Sequence, residues 1–190
     1  MTYLINPEWK IYWALRRSTV HRKRKSKLTK NKRTDVRQSQ FQKSNEKKFL
    51  DRPSLLLISC KKDLVNLVRV LLNEGVPIDS IDERGNSAFL YACKYNSIET
   101  IELLLERGAN IHLRNKYKST ALMFASQNGN LELVKILVFN GIDINVTNIE
   151  GRTALIYAYM KHNTEIADFL LSQGADSTIK DSHGKTALDY

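Results

Sequence analysis

Residues 120–141 read Thr120-Ala121-Leu122-Met123-Phe124-Ala125-Ser126-Gln127-Asn128-Gly129-Asn130-Leu131-Glu132-Leu133-Val134-Lys135-Ile136-Leu137-Val138-Phe139-Asn140-Gly141, and their landmarks return every 33 residues along the chain. A hydroxyl column runs Ser54, Ser87, Thr120, Thr153, Thr186. The pairs behind it are Leu55-Leu56, Ala88-Phe89, Ala121-Leu122, Ala154-Leu155 and Ala187-Leu188, and then come Ala92, Ala125 and Ala158. Further on stand Leu71-Leu72, Leu104-Leu105, Leu137-Val138 and Leu170-Leu171, each followed by Gly75, Gly108, Gly141 or Gly174. Several columns hold one register without an insertion, which is the mark of a repeat architecture.

Each column has a physical meaning. A Ser/Thr hydroxyl accepts from the free backbone N–H groups at a helix start. The Ala-Leu-x-x-Ala run behind it predicts a short first helix, with alanines where helices approach closely. A second helix follows, its apolar residues at i, i+3, i+4 and i+7, as in Ile98–Leu105 and Leu131–Leu137. Glycine then ends that helix in the left-handed conformation. Short extended stretches, 109–112 and 142–145, lead to four-residue turns opened by Asp or Asn and closed by Gly: 82–85, 148–151 and 181–184.

This pattern resembles the ankyrin repeat, a β-turn with two antiparallel helices. The resemblance implies an all-α repeat solenoid with β-turn tips over 49–190, in units of about 49–81, 82–114, 115–147 and 148–180 and a partial unit 181–190. The family's Thr-Pro-Leu-His signature stands here as Ser/Thr-Ala-Phe/Leu, with Leu90, Met123 and Ile156 in place of histidine. That exchanges a polar tie between repeats for apolar packing. Lys118 replaces a tip glycine; where the turn needs positive φ, this costs roughly 1 kcal/mol. The first unit also lacks its tip glycine, as a capping repeat does, and Lys61, Lys62 and Asp63 keep its outer side polar. At the other end, Leu188 and Tyr190 are expected to leave the second-helix face of the fourth unit partly bare.

Charge is distributed unevenly. Residues 16–48 carry fourteen Lys/Arg against Asp35 and Glu46, a net +12, and residues 1–15 are neutral. With +10 for the whole chain, residues 49–190 are left at −2. The high isoelectric point belongs to the leader, so it does not mark the repeats as a nucleic-acid-binding fold. No apolar run approaches the roughly 18 residues that span a bilayer. The first residues lack a secretory pattern, and two cysteines are too few for a disulfide framework. An intracellular location, nuclear or cytoplasmic, is expected.

The residue inventory offers no catalytic constellation, cofactor motif or metal site. His21, His112, His162 and His183 fall in the leader, an extended stretch, an inter-helix loop and a turn tip. Neither a phosphate-cradling loop nor a nucleophile elbow occurs. Cys60 and Cys93 occupy one repeat position; stacked helices sit roughly 10 Å apart, beyond the roughly 7 Å Cα limit of a disulfide. They read as small buried apolar residues.

What the resemblance implies is a protein-binding module, expected to be monomeric, that grips a partner through its concave face. Family contacts come from turn tips and the outward end of the first helix. Those positions here are Glu83, Arg84, Asn86, Lys94 and Tyr95; Lys116, Tyr117, Ser119, Gln127 and Asn128; and Ile149, Glu150, Arg152, Met160 and Lys161. Aromatic anchors beside arginine suit an interface centre; scattered surface apolars are the bland alternative.

The leader, 16–48, holds neither proline nor glycine and few large apolar residues, a composition that does not offset ordering entropy. It is expected to be disordered. Its Arg22-Lys23-Arg24-Lys25-Ser26-Lys27 run fits a nuclear-import signal, a loose binder of nucleic acid or another acidic surface, or a merely solvated tail. This gives the alternative function, a nuclear or nucleic-acid-associated regulator. Residues 1–15 fit a short amphipathic helix with Trp9, Tyr12 and Trp13 on one face. Such a helix docks on the first unit, binds a partner, touches a membrane surface or serves as a transit peptide.

Overall fold

The computed structural model describes residues 51–190. The amphipathic segment 1–15, the leader 16–48 and its import motif lie outside the described residues. Among the described residues eight α-helices follow one another in pairs: α1 (Arg52–Lys61) and α2 (Val65–Asn73), α3 (Ala88–Tyr95) and α4 (Ile98–Glu106), α5 (Ala121–Asn128) and α6 (Leu131–Phe139), α7 (Ala154–Met160) and α8 (Thr164–Ser172). A 3-10 turn at Ala187–Asp189 stands where the next first helix begins. Residues 51–190 belong to one compact unit.

The hydroxyl column starts the helices by the expected mechanism. Ser87 accepts from the Leu90 amide at 3.2 Å, Thr120 from Met123 at 3.3 Å and Thr153 from Ile156 at 3.2 Å. Ser54 is the exception. Asp51 caps α1 and accepts from the Ser54 amide at 3.2 Å, so Ser54 lies inside the first turn. Pro53 next to the cap fits a first turn, where no N–H is required, and moves the start of α1 ahead of the repeat register.

All four second helices end alike. Gly75, Gly108, Gly141 and Gly174 hold φ between +77° and +89°. At the first of them, the Gly75 amide donates to the Leu72 carbonyl and the Val76 amide to Leu71, both at 3.1 Å, which satisfies two carbonyls left open by the helix end. Val76, Ala109, Ile142 and Ala175 then turn inward and are buried. The stretches beyond them are not strands. Asn110, Asp143 and Asp176 accept from the amide two residues on, at 2.9, 3.0 and 2.8 Å, and fold the backbone into Asx turns. Among the described residues the β-structure is a single isolated bridge, Ile81 to Ser87.

The first helices pack in series, α1 on α3, α3 on α5, α5 on α7, and α7 on the final 3-10 turn. Alanine makes this approach possible: Ala88, Ala92, Ala121, Ala125, Ala154, Ala158 and Ala187 are at most 1% exposed. Phe89, Leu122 and Leu155 fill the spaces between them, with Leu90, Met123 and Ile156 buried in the positions where the resemblance expects histidine. Side chains at the starts of the second helices supply polar ties instead. Ser97 Oγ donates to the Cys60 carbonyl at 3.2 Å, Asn163 Nδ2 to Ser126 at 2.7 Å, and Thr100 Oγ1 to the Asp63 carboxylate at 2.7 Å. Asn128 Nδ2 adds a bond to the Cys93 carbonyl at 2.9 Å.

Candidate protein-interaction face

The face is built from the turn tips upward. Asp82, Asn115, Asn148 and Asp181 open the tips, and each Oδ1 accepts from the amides two and four residues on, at 2.8 to 3.0 Å. The tips are also joined to one another. Lys116 N–H donates to the Arg84 carbonyl at 2.9 Å, Ile149 to Tyr117 at 3.0 Å and Ser182 to Glu150 at 2.9 Å. One backbone hydrogen bond per repeat thus links the four tips into a continuous strip.

Close approach of neighbouring tips explains two of the tip glycines, Gly85 and Gly151. A Cβ on Gly151 would stand 3.0 Å from the Asp181 Cα, and one on Gly85 would stand 3.1 Å from the Lys116 nitrogen. Lys118, in the same column, keeps a positive φ of 57°, below the 72° to 77° of its glycine counterparts.

A tyrosine column fastens the tips to the first helices. Tyr91 and Tyr190 donate their hydroxyls to Asp82 and Asp181 at 2.6 Å, and Asn148 donates its amide to the Tyr157 hydroxyl at 3.0 Å. Phe124 occupies this column in the third unit without a hydroxyl; there the Asn115 amide turns to Asn86 Oδ1 at 2.9 Å. The hydrogen bond from Tyr190 holds the Asp181 carboxyl at about 2. Desolvation would raise the Asp82 carboxyl, but its bonds from Tyr91, Asn86 and Arg84 outweigh that and hold it low. Both tip aspartates therefore stay ionised and occupied inwardly.

The positions expected to meet a partner divide into two groups. Glu83, Arg84, Lys94, Tyr95, Lys116, Tyr117, Gln127, Ile149, Glu150 and Lys161 are exposed along the tips and the ends of α3, α5 and α7. Tyr95, Tyr117 and Ile149 are 45%, 49% and 56% exposed, large for apolar bodies with neighbours available. Asn86 is different: it is buried and its amide bonds Asp82, so it belongs to the tip framework. Asn128 is exposed, yet its amide is spent on the Cys93 and Lys94 carbonyls. Ser119 is half-buried. So is Arg152, which pairs with Glu150 at 2.6 Å. Met160 is half-buried against the core.

Sequence reading missed Lys61 as a member of this face. Its ammonium lies 5.3 Å from the Tyr95 ring centre, and Lys94 approaches the same ring at 6.0 Å. The available signal was the shared column, Lys61 and Lys94 being 33 residues apart.

Charge is segregated between the two sides of the repeat. Tips and first helices (51–62, 82–95, 115–128, 148–161, 181–190) hold ten Lys/Arg and six Asp/Glu, a net +4. Second helices and connectors (63–81, 96–114, 129–147, 162–180) hold five and eleven, a net −6. Of the six acids on the positive side, Asp51 and Asp189 cap helix starts and Asp82 and Asp181 are tied down in the tips. Only Glu83 and Glu150 project from the tips.

The second helices expose Val70, Ile98, Phe139 and Leu171, with Phe139 edge-on to Phe169 at 6.0 Å. A polar hollow of about 230 Å³ lies between the starts of α6 and α8, lined by Gly129, Leu131 and residues 162–166. Its polar lining is His162, Asn163, Thr164 and Glu165. Among the described residues no cluster of three or more His, Cys, Asp or Glu could hold a metal ion. Cys60 and Cys93 are buried free thiols; burial, with Asp63 nearby, pushes the Cys60 thiol up to about 12.

Family models now bear on the paired helices and tips. One described as ankyrin repeats (3 copies) matches residues 122–190, and another, ankyrin repeats (many copies), matches 57–105 and 89–138. The chain belongs to the ankyrin-repeat family. No curated protein matches it. Ankyrin repeats are generally protein–protein interaction modules and typically not enzymes, which agrees with a face of exposed side chains on a fixed backbone strip. Among the described residues no helix is long and apolar enough to cross a membrane.

Proposed function

We propose that this ankyrin-repeat chain is a non-enzymatic binding module that holds a protein partner on the concave side formed by its tips and first helices. The observation that carries the reading is the exposure of Tyr117 and Ile149 on a hydrogen-bonded tip strip, with Tyr95 exposed at the end of α3. Large side chains on a backbone already fixed lose little freedom on binding, the property of interface anchors. Tyr95→Ala, Tyr117→Ala and Ile149→Ala, combined in the full chain, test it. Affinity capture should lose the partner by tenfold or more while helical content is kept, on the order of 1–2 kcal/mol for each anchor. Unchanged capture contradicts this placement of the site.

The +12 run at 16–48 supports a second, compatible reading, in which the leader directs the protein to the nucleus or contacts phosphate. Phosphate contacts release counterions, so affinity for a DNA or RNA duplex should fall steeply with salt, and deleting 16–48 should abolish that slope. A shallow slope, or one that survives the deletion, removes this reading.

A further inference from the structure

Lys61 and Lys94 end α1 and α3 at equivalent positions, and their ammonium groups flank the Tyr95 ring. Lys94 also stands 5.9 Å from the Phe124 ring centre, and Tyr95 stacks on Tyr91 with centroids 6.2 Å apart. Lys61, Lys94 and Tyr95 are exposed, and neither ammonium has a carboxylate partner among the described residues. Arg84 and Lys116 add positive charge on the neighbouring tips. Both ammonium groups sit over the Tyr95 ring at the surface, so an anion arriving at this ring is attracted by two cations at once.

We propose that this N-terminal half of the face takes an acidic, extended protein segment. Its carboxylates pair with Lys61 and Lys94, and its apolar side chains lie on Tyr95 and Phe124. The inference rests on the protein-binding reading of the face and adds the chemistry of the partner. Charge favours a short acidic segment over a nucleic acid. The positive side carries only +4, and the second-helix side at −6 repels a long polyphosphate.

The leader attracts acids by itself, so the test compares variants of the full chain. The probe is a fluorescein-labelled peptide of Glu, Asp and Leu, followed by anisotropy, with circular dichroism confirming the helices. Lys61→Glu with Lys94→Glu should weaken binding about tenfold or more. Arg69→Glu with Lys180→Glu changes net charge equally on exposed second-helix and connector positions and should stay within about twofold of the parent. Tyr95→Ala should weaken binding without any change of charge; where the double reversal fails to fold, Lys61→Gln with Lys94→Gln takes its place. Equal losses in the two pairs, or no loss in the first, overturn the proposal, as does a single-stranded DNA probe whose binding is the one abolished. A partner lost in the Tyr117 and Ile149 variants but indifferent to Lys61 and Lys94 would overturn the acidic segment and leave the protein-binding face standing.

Discussion

Lys118 shows what one residue contributes to a repeat. Its tip column otherwise holds glycine, and the backbone keeps φ positive for lysine as well, at 57°. Lys118→Gly should therefore stabilise the protein by about 0.5–1 kcal/mol in urea unfolding. Gly151→Ala should cost about 1–2 kcal/mol, because its Cβ would meet the Asp181 backbone as well as the unfavourable φ. A destabilised Lys118→Gly would mean that the Lys118 side chain holds the tip in some other way. At this scale the sequence was readable wherever one residue type performs one task. A second left-handed column escaped it. Asp63, Asn96, Gly129 and His162 all have φ between +54° and +75° at the turn between paired helices. Four residue types tolerate that conformation there, so no conserved letter marks it.

Helix pairs were legible from the 33-residue register, since apolar periodicity and terminal glycines belong to one element at a time. What joins the elements was less so. The bonds from Tyr91 to Asp82 and from Tyr190 to Asp181 cross from first helix to tip, nine residues away, and neither residue reveals its partner alone. Their effect is measurable by titration. Asp181 is held near 2, below its ordinary value of about 3.8, by the Tyr190 hydroxyl. A carboxyl lowered in the folded state gives stability that is complete above the ordinary value and is lost as pH falls from there through about 2. Tyr190→Phe should raise the Asp181 carboxyl measurably in a carbon-13 NMR titration and shift acid loosening of the last tip to higher pH. An unmoved titration would show that the Lys185 and His183 amides hold the carboxylate by themselves.

On the scale of the whole molecule, stacking converts alternating segments into opposite sides. First helices and tips meet first helices and tips of the next repeat, so +4 and −6 separate in space although they interleave along the chain. A sum along the sequence gives −2 and cancels the polarity, which is why the basic character of the proposed binding face could not be read from composition. The exposure of Tyr95, Tyr117 and Ile149 could be anticipated, because the repeat register alone places tips and helix ends. Site-specific photo-crosslinking in the full chain tests the central claim most directly. A benzophenone amino acid at position 117, on the tip strip, should yield covalent adducts with a protein partner. The same group at exposed Phe139, at the end of a second helix, should yield none with that partner. Adducts from position 139 alone would contradict the account.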